Sequence, residues 1–208
     1  MKSDSESKAT PDKTPARAKG RERRRQIIEA AKRRLLAQGV DGLVLRDIAE
    51  ELGITHGNLQ YYFATKGSLI EAIFDEEIVK YTDTMKTALG ATSTQKGRLA
   101  ALLDSSLDLL SVDDVRLWHI LFGIAHQSPE LATILKRENE RYETTLADEF
   151  GRIFPDMTVE RRVHVAKIIR MLIDGLGITV IYEAADSPGM TAIKSEIKVV
   201  LNTLLNLE

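Results

Sequence analysis

Residues 45–63 read LRDIAEELGITHGNLQYYF, and this stretch decides the local fold. It contains two short segments with helical spacing of apolar residues, separated by Gly53, which tolerates a left-handed turn conformation. Ala49 is small enough for two helices to cross closely, and Thr55 is a favourable N-cap for the second helix. The spacing therefore predicts a helix-turn-helix.

The second helix of this motif is expected to expose only hydrogen-bonding and aromatic side chains, which are His56, Asn58, Gln60, Tyr61 and Tyr62. A solvated helix usually carries Glu as well as Lys, so a face without acids favours a polyanion. Asn and Gln can read adenine edges in the major groove, and Tyr can hold the DNA backbone. A plain surface role for His56 and inward packing of Tyr62 are the alternatives.

The charges of the chain are divided unevenly. Residues 1–66 carry 14 Lys/Arg and 9 Asp/Glu, whereas residues 67–208 carry 15 and 22. This favours an anionic partner for the N-terminal part, although a solvated charged helix accounts for the charge equally well. The basic run at Arg21, Arg23, Arg24 and Arg25 could follow DNA phosphates, enter a minor groove, or simply begin a solvated helix.

The whole chain is predicted to be all-α, with about nine helices. Residues 1–19 are expected to be a disordered basic tail, because they contain almost nothing apolar. Residues 20–66 are expected to form an N-terminal three-helix helix-turn-helix DNA-binding domain. Residues 67–208 are expected to form a C-terminal helical domain for ligand binding and dimerisation. Thr65, Ser128 and Thr158 are predicted helix caps.

The composition excludes several classes of protein. The 208 residues include no cysteine, which rules out disulfides and Cys-ligated zinc and favours a cytoplasmic location. Four scattered histidines give no metal-ligand spacing. We find no Gly-rich phosphate loop, nucleophile elbow or HExxH helix, so neither an enzyme nor a cofactor is expected. No apolar run is long enough to span a membrane, and the polar N-terminus does not resemble a secretory signal.

The stretch from Ile27 to Ile70 resembles the TetR family of bacterial transcription regulators. It reads IIEAAKRRLLAQGVDGLVLRDIAEELGITHGNLQYYFATKGSLI. The matching positions are Ala30-Ala31, Gly39, Ile48-Ala49, Gly53-Ile54-Thr55, Gly57, Leu59, Tyr61, Phe63, Lys66 and Leu69. This set at fixed spacing is much more specific than a helix-turn-helix pattern alone, and it covers about a fifth of the chain.

The resemblance implies roles for the individual DNA-binding residues. Thr55 would touch a phosphate and His56 and Asn58 would reach base edges. The Gly57 amide would meet a phosphate at close range. The remaining implied DNA contacts are Arg46, Tyr61, Tyr62 and Lys66.

Two positions depart from the family pattern. Val44 stands where the family usually has Thr, so a helix cap and a phosphate contact are missing. Gln60 stands where the family usually has Tyr, so we expect base reading there to differ, and Gln favours adenine.

The last two predicted helices favour self-association. Residues 168–184 read IIRMLIDGLGITVIYEA, which is apolar nearly all round, and Gly175 and Gly177 would allow close approach of a second copy. The final helix has an apolar stripe at Ile193, Ile197, Val200, Leu201, Leu204 and Leu205. We expect these helices from two chains to form a four-helix dimer interface. The alternative is a buried core helix in a monomer.

The middle helices are expected to enclose a ligand pocket. Trp118, Phe122 and Met171 would supply apolar walls, and His119, Tyr142 and Asp174 polar points. A simple core role for Trp118 and a structural bond for Asp174 are the alternatives. Such a pocket suits a lipophilic or aromatic small molecule.

Together these features predict a regulator that binds a double-stranded, palindromic operator as a homodimer. It would be a repressor released by an unidentified small-molecule effector. The resemblance implies that the fourth helix, from Lys66, links the pocket to the DNA reader. An activator of the same fold, or a helical adaptor that binds protein instead of DNA, is the alternative.

Overall fold

The computed structural model describes residues 15–108, 111–180, 182–184 and 186–206, and the described residues contain no strand. The all-α fold class is thus confirmed. The described residues form nine α-helices and one short 3-10 helix at Gly39–Gly42. The α-helices are α1 (Pro15–Gln38), α2 (Leu45–Glu51), α3 (His56–Tyr62), α4 (Lys66–Gly90), α5 (Gln95–Asp108), α6 (Val112–Gln127), α7 (Pro129–Ile153), α8 (Val159–Val180) and α9 (Pro188–Asn206).

The predicted helix caps are present. Thr65 and Ser68 form a reciprocal capping box at the start of α4, and the Ser128 hydroxyl accepts a hydrogen bond from the amide of Leu131 at the start of α7. The Thr158 hydroxyl accepts from the amide of Arg161 over 3.2 Å. Each cap satisfies a helix N–H group that has no partner inside its helix.

Two large hydrophobic cores organise the helices, and α4 belongs to both. Its first half, including Leu69, Ile73 and Phe74, packs with α1–α3 and with parts of α6 and α7. Its second half, including Ile78 and Met85, packs with α5, α7, α8 and α9. The N-terminal core therefore extends beyond residue 66, because side chains of α4, α6 and α7 pack into it.

Two helix limits differ from the sequence prediction. Residues 1–14 of the expected tail lie outside the described residues, but α1 already begins at Pro15. Pro suits a first helical position, and Ala16, Arg17, Ala18 and Lys19 are good helix formers, so propensity outweighs the lack of burial there. At the other end, the apolar stretch 168–184 was expected to be one helix, but α8 ends at Val180 and residue 182 lies in a turn.

Within the described residues, no helix is both long enough and apolar enough to cross a lipid bilayer.

Candidate nucleic-acid interface and effector cavity

A tight left-handed turn joins α2 to α3. Gly53 has a φ of 62°, and the Ile54 amide donates back to the carbonyl of Ala49 over 2.9 Å. The Thr55 hydroxyl then accepts a hydrogen bond from the amide of Asn58 over 3.1 Å, which caps α3. The buried residues Ile48, Ala49 and Leu59 hold the two helices against α1. The predicted helix-turn-helix geometry is present.

The outer face of α3 is open. The predicted contacts on this face, which are Thr55, His56, Gly57, Asn58, Gln60 and Tyr61, are all exposed. Tyr61 is 83% exposed, and apart from the chain neighbours and helix backbone of Gly57, no described atom lies within 4 Å of where its β-carbon would stand. An exposed aromatic ring beside a bare backbone amide leaves room for a phosphate or a base edge.

Tyr62 packs partly inward, which was the alternative considered for it, and part of its side chain stays exposed. Its ring is half-buried against the N-terminal core, and it meets the ring of Tyr61 edge-on, with 5.2 Å between ring centroids. Its hydroxyl oxygen lies 4.0 Å from where a β-carbon on Gly20 would stand. The ring therefore braces α3 against the N-terminal part of α1.

Two of the three acidic residues of α2, Asp47 and Glu51, are paired with arginines of α1. Arg33 lies 2.8 Å from Glu51, and Arg34 lies 3.3 Å from Glu51 and 3.0 Å from Asp47. The hydrogen bond from Arg33, together with Arg34, lowers the pKa of Glu51. These pairings reduce the negative field that α2 would otherwise present to DNA beside α3.

Lys66 has a partner inside the chain. Its ammonium donates to the backbone carbonyl of Val40 over 2.8 Å, so it ties α4 to the short 3-10 helix. An ammonium has three donors, which leaves two for the phosphate contact that the sequence predicts.

Arg46 is exposed on α2. Val44 precedes α2 without any side-chain cap, as expected from a residue that cannot accept a hydrogen bond.

A cavity of about 70 Å³ lies among α4, α5, α6, α7 and α8. Five of the six predicted ligand residues line it: Trp118, His119, Phe122, Tyr142 and Asp174. Its wall is mainly aromatic and apolar, and it includes several residues that the sequence did not predict. These are Ile78, Tyr81, Ser106, Val115, Asn139, Arg170, Ile173 and Gly177.

Burial raises the pKa of two polar side chains in this cavity. Burial raises the pKa of Tyr142 to about 12, although a hydrogen bond with Ser106 opposes the shift. Burial also raises the pKa of the Asp174 carboxyl, despite the opposing charge of Arg170 at 2.5 Å. Arg170 lies 2.7 Å from Glu143 as well, so it bridges two carboxylates. Asp174 thus has a structural partner, Arg170, which was not predicted, and it still lines the cavity.

Met171 does not line the cavity, which corrects the prediction. Its side chain is 56% exposed on another face of α8. Gly177 also differs from expectation, because it faces Val115 of α6, 3.7 Å from where its β-carbon would lie. Since α8 is apolar on several sides, its sequence could not indicate which apolar residue faces which neighbour.

The last two helices leave apolar side chains uncovered. On α8, Met171 and Ile178 are more than half exposed. Between them, no atom of another described segment lies within 4 Å of where a β-carbon on Gly175 would stand. Three further apolar residues are exposed on α9, which are Ile193, Val199 and Val200. Spacings of four and three residues place Met171, Gly175 and Ile178 on one helix face.

Comparisons with known proteins agree with these features. The sequence profile described as bacterial regulatory proteins, tetR family, matches residues 27–73. An HTH-type transcriptional regulator BetI from Yersinia pestis (strain Pestoides F) is 28% identical over 158 residues, which cover 74% of this chain and 78% of the relative.

Solved structures share the fold. A protein described as a TetR-family transcriptional regulator from Rhodococcus sp. has a TM-score of 0.74 at 19% identity, covering 89% of this chain and 100% of its own. A protein described as a transcriptional regulator from Saccharomonospora viridis, solved in complex with choline, has a TM-score of 0.64 at 22% identity. That match covers 89% of this chain and 96% of its own.

Proposed function

We propose that the chain is a regulatory protein of the TetR family, which represses transcription by binding a palindromic operator as a homodimer until an effector releases it. The observation that carries this proposal is the exposed, acid-free face of α3, held in place by a capped turn and a buried Leu59. Such a face suits the major groove of DNA.

The uncovered apolar face of α8 and α9 supports the dimer. Exposed apolar side chains gain about 25 cal/mol for each Å² that they bury, and a second copy can bury the same patch on both chains. Met171, Ile178, Ile193, Val199 and Val200 would lie in this interface. A two-fold dimer would place the two α3 helices about 34–36 Å apart, or at a multiple of that distance, so the operator would be an inverted repeat.

The test begins with selection of binding sites from random-sequence duplex DNA by the full chain. We expect an inverted repeat to be enriched and its affinity to fall steeply with salt. Gln60→Ala and Tyr61→Ala should each weaken binding by about tenfold or more, which corresponds to about 1.4 kcal/mol. The matched control is Gln127→Ala, at an exposed position at the end of α6.

Two results would overturn the proposal. If no duplex is enriched, the α3 face does not bind DNA. The alternative, a helical adaptor that binds protein, is then favoured. If light scattering shows a monomer at every concentration, the dimer is wrong even if DNA is bound.

For the effector, the cavity supports a small organic cation. Aromatic faces attract cations, and four of the wall residues are aromatic: Tyr81, Trp118, Phe122 and Tyr142. Asp174 supplies a carboxylate, and because Arg170 also pairs with Glu143, Asp174 can turn to a ligand without leaving Arg170 alone. The structural relative that holds choline makes a quaternary ammonium the first compound to test.

The cavity is smaller than the roughly 150 Å³ cavity that takes up benzene, so a ligand must widen it. Titration of the Trp118 fluorescence with choline should show a saturable change, and choline should release the selected duplex. The neutral isostere 3,3-dimethyl-1-butanol should bind at least about tenfold more weakly, as expected when cation attraction supplies about 1–2 kcal/mol. Equal binding of both compounds would show that charge is not recognised.

A further inference from the structure

The first turns of α1 form a basic segment, residues 17–25, that the helix-turn-helix motif does not include. Helix α1 begins at Pro15, but none of residues 17–26 is buried and the core begins at Ile27, so about 18 Å of helix precedes it. Residues 17–25 contain six Arg or Lys and one acid, Glu22, and none of these side chains is buried.

The charges of this segment destabilise its helix. A helix N-terminus favours acidic side chains because of the helix dipole, but the first turn of α1 has none. Closely spaced like charges along a helix also repel one another. With little apolar surface to bury, the segment gains little from packing. A polyanion beside it would remove both costs at once.

The fold places the basic segment beside the DNA-reading helix. Gly20 adjoins the hydroxyl of Tyr62, the last residue of α3. One turn further along, the guanidinium of Arg24 stands over the ring of Phe63, 5.3 Å from its centroid. These two contacts hold the segment against the end of α3, so its positive charge is continuous with the surface that faces DNA.

We propose that the basic segment binds DNA phosphates next to the base pairs that α3 reads, which lengthens the bound site on each side of the operator. The proposal rests on the proposed function, since it needs α3 to lie on DNA. It adds sequence-independent affinity, because phosphate contacts carry no base information. Residues 19 and 21 are exposed and lie on either side of the Gly20 contact.

The test compares two double variants of the full chain on the selected duplex. Lys19→Gln with Arg21→Gln removes two charges from the basic segment. Lys86→Gln with Lys96→Gln removes the same charge from exposed positions on α4 and α5. Glutamine has a helix propensity close to that of Lys and Arg, so circular dichroism should be unchanged.

The readout is the slope of log Kd against log salt concentration. Each lost phosphate contact lowers the slope by about 0.9, so the basic-segment variant should lose up to about 1.8 for each chain and the control variant almost nothing. Hydroxyl-radical footprints should also lose protection at the outer edges of the site in the basic-segment variant alone.

The possible failures can be told apart. If the basic-segment and control variants have the same slope and the same footprint while Tyr61→Ala loses affinity, the segment is only a solvated helix start and this inference is wrong. If Tyr61→Ala also binds like the unchanged chain, the proposed function itself is wrong.

Discussion

The indole Nε1 of Trp118 donates a hydrogen bond to the hydroxyl oxygen of Tyr81 over 3.0 Å, which joins α6 to α4 at the wall of the cavity. The same indole packs on Phe74, with 5.6 Å between ring centroids, and lies against both large hydrophobic cores. Trp118 therefore touches the cavity, the helix shared by the two cores and the core beneath the DNA reader. A ligand that widens the cavity would therefore displace Trp118, and through it α4 and the N-terminal core.

Tyr81→Phe is predicted to weaken this connection. The substitution keeps the ring but leaves the indole N–H without its acceptor, which should cost about 1–3 kcal/mol in urea unfolding. The DNA affinity without choline divided by the affinity with choline should fall. Without the hydrogen bond, a change in the cavity moves α4 less. Tyr182→Phe is the control, since that ring is 76% exposed and outside this contact. An unchanged affinity ratio would show that the hydrogen bond does not transmit the effector signal.

Val44→Thr is predicted to stabilise the chain. Val44 occupies the N-cap position of α2 with extended backbone angles and no side-chain cap, and it is 42% exposed. A threonine hydroxyl there would satisfy an amide of the first turn and raise the unfolding free energy by about 1 kcal/mol. Val44→Ala removes both methyl groups, whereas threonine replaces one of them by a hydroxyl; since alanine adds no cap, Val44→Ala should not be stabilising. Tighter binding of the selected duplex by the Thr variant alone would indicate a new phosphate contact.

Effector affinity is predicted to depend on Asp174 and pH. Burial raises the pKa of this carboxyl, so it takes up a proton at a higher pH than an ordinary Asp. A cation binds the ionised form, and its affinity should therefore fall as the pH falls through that pKa. In Asp174→Asn, the affinity for choline should be low and nearly independent of pH. The same pH profile in both proteins would exclude Asp174 from binding.

Lys32→Met is predicted to be strongly destabilising. Lys32 of α1 lies 2.7 Å from Glu77 of α4, whose side chain is fully buried, and the other nearby cation, Lys80, is 3.9 Å away. Although burial opposes its charge, the two neighbouring glutamates, Glu77 and Glu29, raise the pKa of Lys32. Loss of the ammonium leaves a buried carboxylate poorly compensated, at a cost of about 3–5 kcal/mol.

Two further variants check the cause of that loss. The double variant Lys32→Met with Glu77→Leu should recover much of the stability, because it leaves no buried charge. Glu29→Gln removes the charge of the more exposed acidic partner of the same lysine and should cost at most about 1 kcal/mol in urea unfolding. If the double variant is no more stable than Lys32→Met, the buried charge is not the cause.

The residues that sequence alone could place are those whose neighbours in space are also neighbours in the chain. The caps Thr55 and Thr65 and the turn at Gly53 depend on contacts within about five residues, so each was predicted as it occurs. The Arg170–Asp174 pair was missed, although its spacing of four residues is a signal that could have revealed it.

Other features depend on packing between distant segments. Tyr81 and Trp118 are 37 residues apart, and Lys66 and Val40 are 26 apart, and no local pattern relates either pair. The apolar sequence of α8 predicted that the helix is buried on several sides, but only its neighbours decided that Gly177 faces Val115 and that Met171 is exposed. Sequence thus determined the helices and the DNA-reading motif, because caps, turns and periodicity act locally. The tertiary structure decided which side of each long helix faces the cavity, because that choice depends on shapes supplied by other helices.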